Sequence, residues 1–167
     1  ALNILANSKI IDQGIYEDVH INPAPNDDGL NFGAAIFCAF KHEKELILPD
    51  NIGTIGLEYS NEDIEEVIHI RDTWTMKYKL YDDFEELCEV VVDKLEKNKT
   101  VGWFQGKSEF GPRALGNRTL LANPTFDNKD YINDNIKHRE SWRPYAPIML
   151  EEELHNWYVI PKDSSPY

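Results

Sequence analysis

Val101-Gly102-Trp103-Phe104-Gln105-Gly106-Lys107-Ser108-Glu109-Phe110-Gly111-Pro112-Arg113-Ala114-Leu115-Gly116-Asn117-Arg118-Thr119 opens on an apolar run, breaks at Gln105-Gly106 and continues as interleaved glycines and cations. Further on comes a second basic stretch, Lys137-His138-Arg139-Glu140-Ser141-Trp142-Arg143-Pro144-Tyr145-Ala146-Pro147. Glycine lets the backbone approach an oxygen closely, and a cation resists burial without a partner. The two together read as a place where an anion is held.

Working outward, Thr100–Phe104 reads as a strand and Thr119–Ala122 as another, stopped by Asn123-Pro124. Before them, Asp82–Asn98 is the clearest helix. Phe84, Leu87, Cys88, Val91, Val92 and Leu95 form its apolar face, acids lie at its start, and Lys94 and Lys97 lie near its end. After them, Asp127–Lys137 is a helix with Ile132 and Ile136 four apart, Tyr145–Leu150 a strand and Glu151–Tyr158 a helix. Towards the N-terminus, a short helix covers Ala1–Ile11 and stops at Gly14. Tyr16–Asn22 alternates like a strand and ends at Pro23 and Pro25, and a helix runs from Leu30 to His42. That helix is apolar enough to be buried on most sides, and Asp27-Asp28 precede it as caps. Ser60 and Asp63 form a capping box for an acidic helix ending near Arg71, and Trp74–Tyr81 reads as a further strand. Strands alternating with helices give an α/β or α+β fold.

The 167 residues carry a net charge of −13, which argues against nucleic acid or an acidic membrane surface as partner. The charge is uneven. Residues 1–98 hold 21 acids and 8 bases, residues 99–143 hold 5 acids and 8 bases, and residues 144–167 hold 4 acids and 1 base. One basic stretch in an acidic chain suits a small anionic ligand better than a polyanion. No apolar run approaches the ~20 residues of a membrane-spanning helix. Cys38 and Cys88 sit on helical patterns and read as buried small hydrophobes, so a reducing cytoplasm is the expected location. The chain opens without methionine inside an apolar pattern and stops without closing an element, so it reads as a piece of something longer.

The fixed residues Gly102-Trp103-Phe104-Gln105-Gly106-Lys107, Glu109-Phe110-Gly111-Pro112-Arg113-Ala114-Leu115-Gly116 with Arg118, and Lys137, Arg139, Glu140, Arg143-Pro144, Ala146-Pro147 resemble the ATP-dependent O-carbamoyltransferases. This family includes nodulation proteins and enzymes that carbamoylate cephamycin and tobramycin. Ala1-Leu2-Asn3, Asn26-Asp27-Asp28-Gly29 with Gly33-Ala34-Ala35, and Leu57–Ile64 resemble further family segments, so the likeness covers nearly the whole chain. Lys107 stands where the family usually has arginine.

The resemblance implies a fold and an activity. Residues 1–45 would be the last elements of an actin-like (ASKHA, Kae-like) carbamoyl-transfer domain, 46–81 a linker, and 82–167 the first part of a YrdC-like twisted sheet with helices. Carbamoyl phosphate would release phosphate, and the carbamate would attack the α-phosphorus of ATP to give carbamoyl adenylate and pyrophosphate. A hydroxyl of a small-molecule acceptor would then take the carbamoyl group. Lys137 and Arg139 would carry the first stage, with Lys107, Gly111, Arg113, Gly116, Arg118 and Arg143 binding carbamoyl phosphate and ATP.

Each arginine has a structural alternative in pairing with Glu109, Glu140 or another acid, and Glu140 reads as an orienter of Arg139 or Arg143. Trp103, Trp142 and Tyr145 stack on adenine or pack in a core, with packing favoured. Asp27 matches a metal-ligating aspartate of the actin-like domain, or else caps a helix. The implied cofactors are ATP and Mg2+, with Fe2+ or another divalent metal in the full-length actin-like domain. The expected partners are the two substrates, the hydroxylated acceptor, the remainder of the same chain and a second copy in a homodimer. The competing readings are a YrdC-like role in tRNA threonylcarbamoyladenosine synthesis and a non-catalytic anion-binding module.

Overall fold

The computed structural model describes residues 2–49, 51–70 and 77–159. The chain is mixed α/β and divides into two compact units. The first comprises Ala1–Gly56, Lys107–Leu115 and Ile148–Tyr167, and the second Leu57–Gly106 and Gly116–Pro147. Among the described residues, no helix is long and apolar enough to cross a membrane.

In the first unit, helix α1 spans Ile4–Asp12 and is capped by Asn3, whose side chain accepts the Ala6 N–H. Gly14, at φ 60°, ends it in the left-handed region that glycine occupies without steric cost. A 3₁₀ turn, Asp27–Gly29, leads into helix α2, Leu30–Lys41. Two sequence expectations fail here. Neither turn nor helix has a side-chain cap hydrogen bond at its start, so the aspartates do not serve as caps. Nor is α2 buried on most sides: Leu30, Phe37 and Phe40 are exposed, as is Cys38. Apolar patterning records what a surface could bury, not whether a neighbour covers it.

Pro23 and Ala24 are buried, and Phe32 meets Phe110 edge to face with ring centroids 5.6 Å apart. The Phe110 N–H donates to Gly53 O at 2.8 Å and the Gly56 N–H to Ser108 O at 3.0 Å, pinning the glycine-rich stretch at two points.

In the second unit, helix α3 spans Asn61–Ile70 and starts at the expected capping box. The Asp63 N–H donates to Ser60 Oγ at 3.1 Å and the Ser60 N–H to Asp63 Oδ2 at 2.8 Å. Helix α4, Phe84–Glu96, is capped by Asp83, which accepts the Glu85 N–H. Its half-buried stripe includes Leu87, Cys88, Val91 and Leu95, and Phe84 meets Trp103 edge to face at 6.3 Å, so Trp103 packs as favoured. Strands β1, Val101–Phe104, and β2, Arg118–Leu121, pair antiparallel in the register Val101 to Leu121 and Phe104 to Arg118. Residues 126–137 form helix α5, Phe126–Tyr131, continued by a π-helical turn, Ile132–Lys137. In the first unit again, a 3₁₀ turn at Glu151–Glu153 runs into helix α6, Leu154–Trp157.

Three expected strands are not observed. Tyr16–Asn22 and Tyr145–Leu150 are irregular, and so is Lys77–Tyr81, while residues 74–76 lie outside the described residues. A strand exists only by hydrogen bonding to a neighbour, and Pro147 removes a donor from the middle of the second segment. Among the described residues the sheet is therefore β1 and β2 alone.

Candidate functional site

Of the residues singled out from sequence, Asp27, Lys107, Gly111 and Arg113 belong to the first unit. Gly111 adopts φ 111°, and a Cβ there would lie 2.2 Å from Pro23 O. Glycine is required at 111 by a strained dihedral and by close approach of two backbones. Arg113 is exposed and donates from Nη2 to Leu2 O at 3.4 Å, and Glu109 Oε1 accepts the Leu115 N–H at 2.9 Å. Lys107 is exposed. Asp27 is exposed at the start of its 3₁₀ turn. Among the described residues, no group of three or more His, Cys, Asp and Glu could hold a metal ion.

Gly116, Arg118, Lys137, Arg139 and Arg143 belong to the second unit. The Gly116 N–H donates to Thr119 Oγ1 at 3.0 Å, and its carbonyl accepts Gln105 Nε2 at 3.1 Å. Arg118 is more heavily engaged. Its Nη1 donates to the carbonyls of Gln105 and Asn117, and its Nη2 to those of Gly106 and Leu57. The guanidinium also lies 3.6 Å from the centre of the Phe104 ring. Four carbonyls and an aromatic face thus hold this fork where β1 ends and β2 begins.

The Lys137–Arg143 stretch is built differently. The π-helical turn widens the end of α5, a geometry that recurs at functional sites. His138 then takes φ 48°, ψ 53°, which reverses the chain so that its own N–H and that of Arg139 both reach Asn133 O. His138 Nδ1 lies 2.9 Å from Asp134 O; a carbonyl accepts only, so Nδ1 carries the proton.

Asn133 is fully buried, and its Oδ1 accepts Arg139 Nε at 2.8 Å and the Tyr145 hydroxyl at 2.7 Å. The Arg139 guanidinium lies 4.6 Å from the centre of the Tyr145 ring. Its two terminal nitrogens have no hydrogen-bond partner among the described residues. Arg143 Nε donates to Glu140 Oε2 at 2.7 Å, so Glu140 orients Arg143 as expected. The Glu140 carboxyl is held below its ordinary value, first by its own backbone N–H and then by the charge of Arg143.

An open cleft of about 590 Å³ is lined by Asp134, His138, Arg139, Glu140 and Arg143. It brings Arg139 and Arg143 together; Lys137 is exposed at the end of the π-helical turn and does not line it. Trp142 is 73% exposed, so the favoured core packing does not hold for this ring, and Tyr145 supports Arg139 instead of entering a core. Asn133 is the residue that sequence reasoning missed. A polar residue inside an amphipathic helical pattern reads as solvent-facing, and its burial depends on the π turn and the left-handed His138.

The family described as Carbamoyltransferase C-terminus matches residues 92–167, and Carbamoyltransferase N-terminus matches residues 1–36. Nodulation protein NolO of Bradyrhizobium diazoefficiens is 34% identical over 165 residues, covering 96% of this chain and 29% of the relative. Nodulation protein U of the same organism is 36% identical over 167 residues, 99% of this chain and 26% of the relative. Nodulation protein NolNO of Sinorhizobium fredii is 32% identical over 178 residues, 96% of this chain and 24% of the relative. The chain therefore spans less than a third of the length of these relatives. With one family pattern matched near its start and the other over the stretch that holds the arginine cleft, the chain belongs to the carbamoyltransferase family.

Proposed function

We propose that the intact protein is an ATP-dependent O-carbamoyltransferase, and that the Lys137–Arg143 stretch serves its adenylate-forming stage. In that stage water cleaves carbamoyl phosphate to carbamate and phosphate. A carbamate oxygen then bonds to the α-phosphorus of ATP, pyrophosphate leaves, and carbamoyl adenylate results. An acceptor hydroxyl afterwards takes the carbamoyl group, releasing AMP and a proton. The observation that carries the reading is the cleft shared by Arg139 and Arg143, with the terminal nitrogens of Arg139 unbonded among the described residues.

Both substrates bring phosphate oxygens, and the leaving pyrophosphate gathers further negative charge. Fixed cations answer that demand better than a nucleophile would. Arg139 offers a planar pair of donors that matches two oxygens at once, and Lys137, exposed at the end of the π-helical turn, would add a point charge. Arg143 carries its counter-ion Glu140 into the same cleft, so an incoming anion competes with that carboxylate. ATP would enter as its magnesium complex. Asp27 is the residue of this chain that an iron or other divalent centre in the actin-like part would use, and no step here runs through such a centre. The actin-like and YrdC-like parts, with a linker at 46–81, are the architecture this reading implies.

The test uses the intact protein. Lys137→Met and Arg139→Met should each lower carbamoyl-phosphate-dependent pyrophosphate release by at least about a hundredfold, on the scale of losing one transition-state charge contact. Undiminished release in both variants defeats the assignment. Release that needs threonine and bicarbonate in place of carbamoyl phosphate would move the protein to tRNA modification.

A further inference from the structure

We infer that Asn133 is a positioning residue, a buried two-way acceptor that fixes the Arg139 guanidinium for an anionic substrate. The inference rests on the proposed role of Arg139. Asn133 is completely buried, yet its Oδ1 is spent on two side chains placed later in the chain, Arg139 Nε at 2.8 Å and the Tyr145 hydroxyl at 2.7 Å. Its Nδ2 donates to Ser141 O at 3.4 Å, and its backbone carbonyl accepts both the His138 and Arg139 N–H groups. One side chain and one carbonyl thus tie the π-helical turn to four later residues, His138, Arg139, Ser141 and Tyr145.

The chemical consequence lies in which nitrogen of Arg139 is used. Engaging Nε leaves the two terminal nitrogens as the donors for a ligand, and it fixes the plane in which they lie. The Tyr145 ring, its centre 4.6 Å from the guanidinium carbon, packs against the group, while its hydroxyl is tied to the same Asn133 oxygen. A fork held this way loses little freedom when it meets two oxygens. A lysine at 139 could not use the arrangement, because it has no second nitrogen fixed relative to the first.

The prediction separates positioning from mere support of the fold. In the intact protein, Asn133→Ala should raise the KM for carbamoyl phosphate about tenfold or more, the scale on which a misplaced binding group is felt. The same change on an Arg139→Lys background should add little, because the orientation it disturbs is already lost. If Asn133→Ala does not fold, Tyr145→Phe carries the test, with KM up about threefold when Arg139 is present and no change when it is lysine. A fall in kcat with unchanged KM, equal in both backgrounds, would mark Asn133 as structural and overturn the inference. Should Arg139→Met itself leave pyrophosphate release intact, the functional reading falls first. If Arg139→Met abolishes release and Asn133→Ala leaves KM unmoved, the positioning role alone falls.

Discussion

The two basic stretches look alike in sequence and are in opposite physical states. Between β1 and β2, Arg118 gives its terminal N–H groups to four carbonyls, the Gly116 amide is taken by Thr119, and Gly111 lies against Pro23. After α5, Lys137 has no side-chain partner among the described residues, and Arg139 keeps its terminal nitrogens unbonded there. The same residue types thus do two jobs. In the first stretch Arg118, Gly111 and Gly116 hold the chain in shape. In the second, buried polar groups hold a cation ready for something else. Motif density marks both stretches, but only the hydrogen-bond ledger tells them apart.

The strongest blow to the first stretch comes from Gly111→Ala. A methyl group would meet Pro23 O at 2.2 Å while the backbone stays at φ 111°. Strain and overpacking together should cost about 3 kcal/mol. Gly116→Ala keeps the dihedral problem, at φ 99°, but meets no atom within 4 Å, so about 1–2 kcal/mol is expected. Hydrogen exchange of the Phe110 and Gly56 amides, which donate to Gly53 and Ser108, reads the first change locally. Equal losses for the two alanines would mean that conformation, not close approach, explains Gly111.

Arg118→Met sharpens the contrast next. Removing the fork strips a donor from four carbonyls and a cation from the Phe104 ring, at a local cost of about 2 kcal/mol. The Gln105 amide, which donates to Asn117 O at 3.0 Å, should exchange faster. Arg118→Lys should not restore it, because one ammonium cannot span carbonyls on both sides of the turn. Unchanged exchange accompanied by lost substrate binding would make Arg118 a ligand contact and erase the distinction between the stretches.

Much of this was legible in the chain. α4, β1, β2 and the α3 capping box fall within a residue or two of their sequence limits, because each is specified by neighbours a few positions away. Tyr16–Asn22 and Tyr145–Leu150 alternate well enough for strands, but a strand needs a partner that local sequence does not supply. The burial of α2 failed for the same reason: Phe37 and Phe40 can be covered, yet nothing in their spacing says that they are. Arg139 was visible in the Lys137-His138-Arg139 pattern, while Asn133 was not. Its burial comes from a π turn and a left-handed histidine that no periodicity announces.

The smallest expected effect lies in the second stretch, at the Glu140–Arg143 pair. The Glu140 carboxyl is held below the ordinary 4.5, first by its own backbone N–H and next by Arg143. A group whose folded value is depressed contributes stability that is present above the ordinary value and lost as pH falls through the folded one. The window is therefore on the acid side of 4.5, and between pH 6 and 8 the pair should be indifferent to pH. Titrating the Glu140 carboxyl by NMR should give a midpoint below 4.5 that rises in Arg143→Ala without reaching the ordinary value, since the backbone donor remains. Both groups are about half exposed, so the effect on global stability should be slight. A midpoint unmoved by Arg143→Ala would mean that Glu140 does not hold Arg143 in solution. Arg143 would then stand beside Arg139 as a second open fork, and the cleft would meet phosphate with more free positive charge than the pair now leaves it.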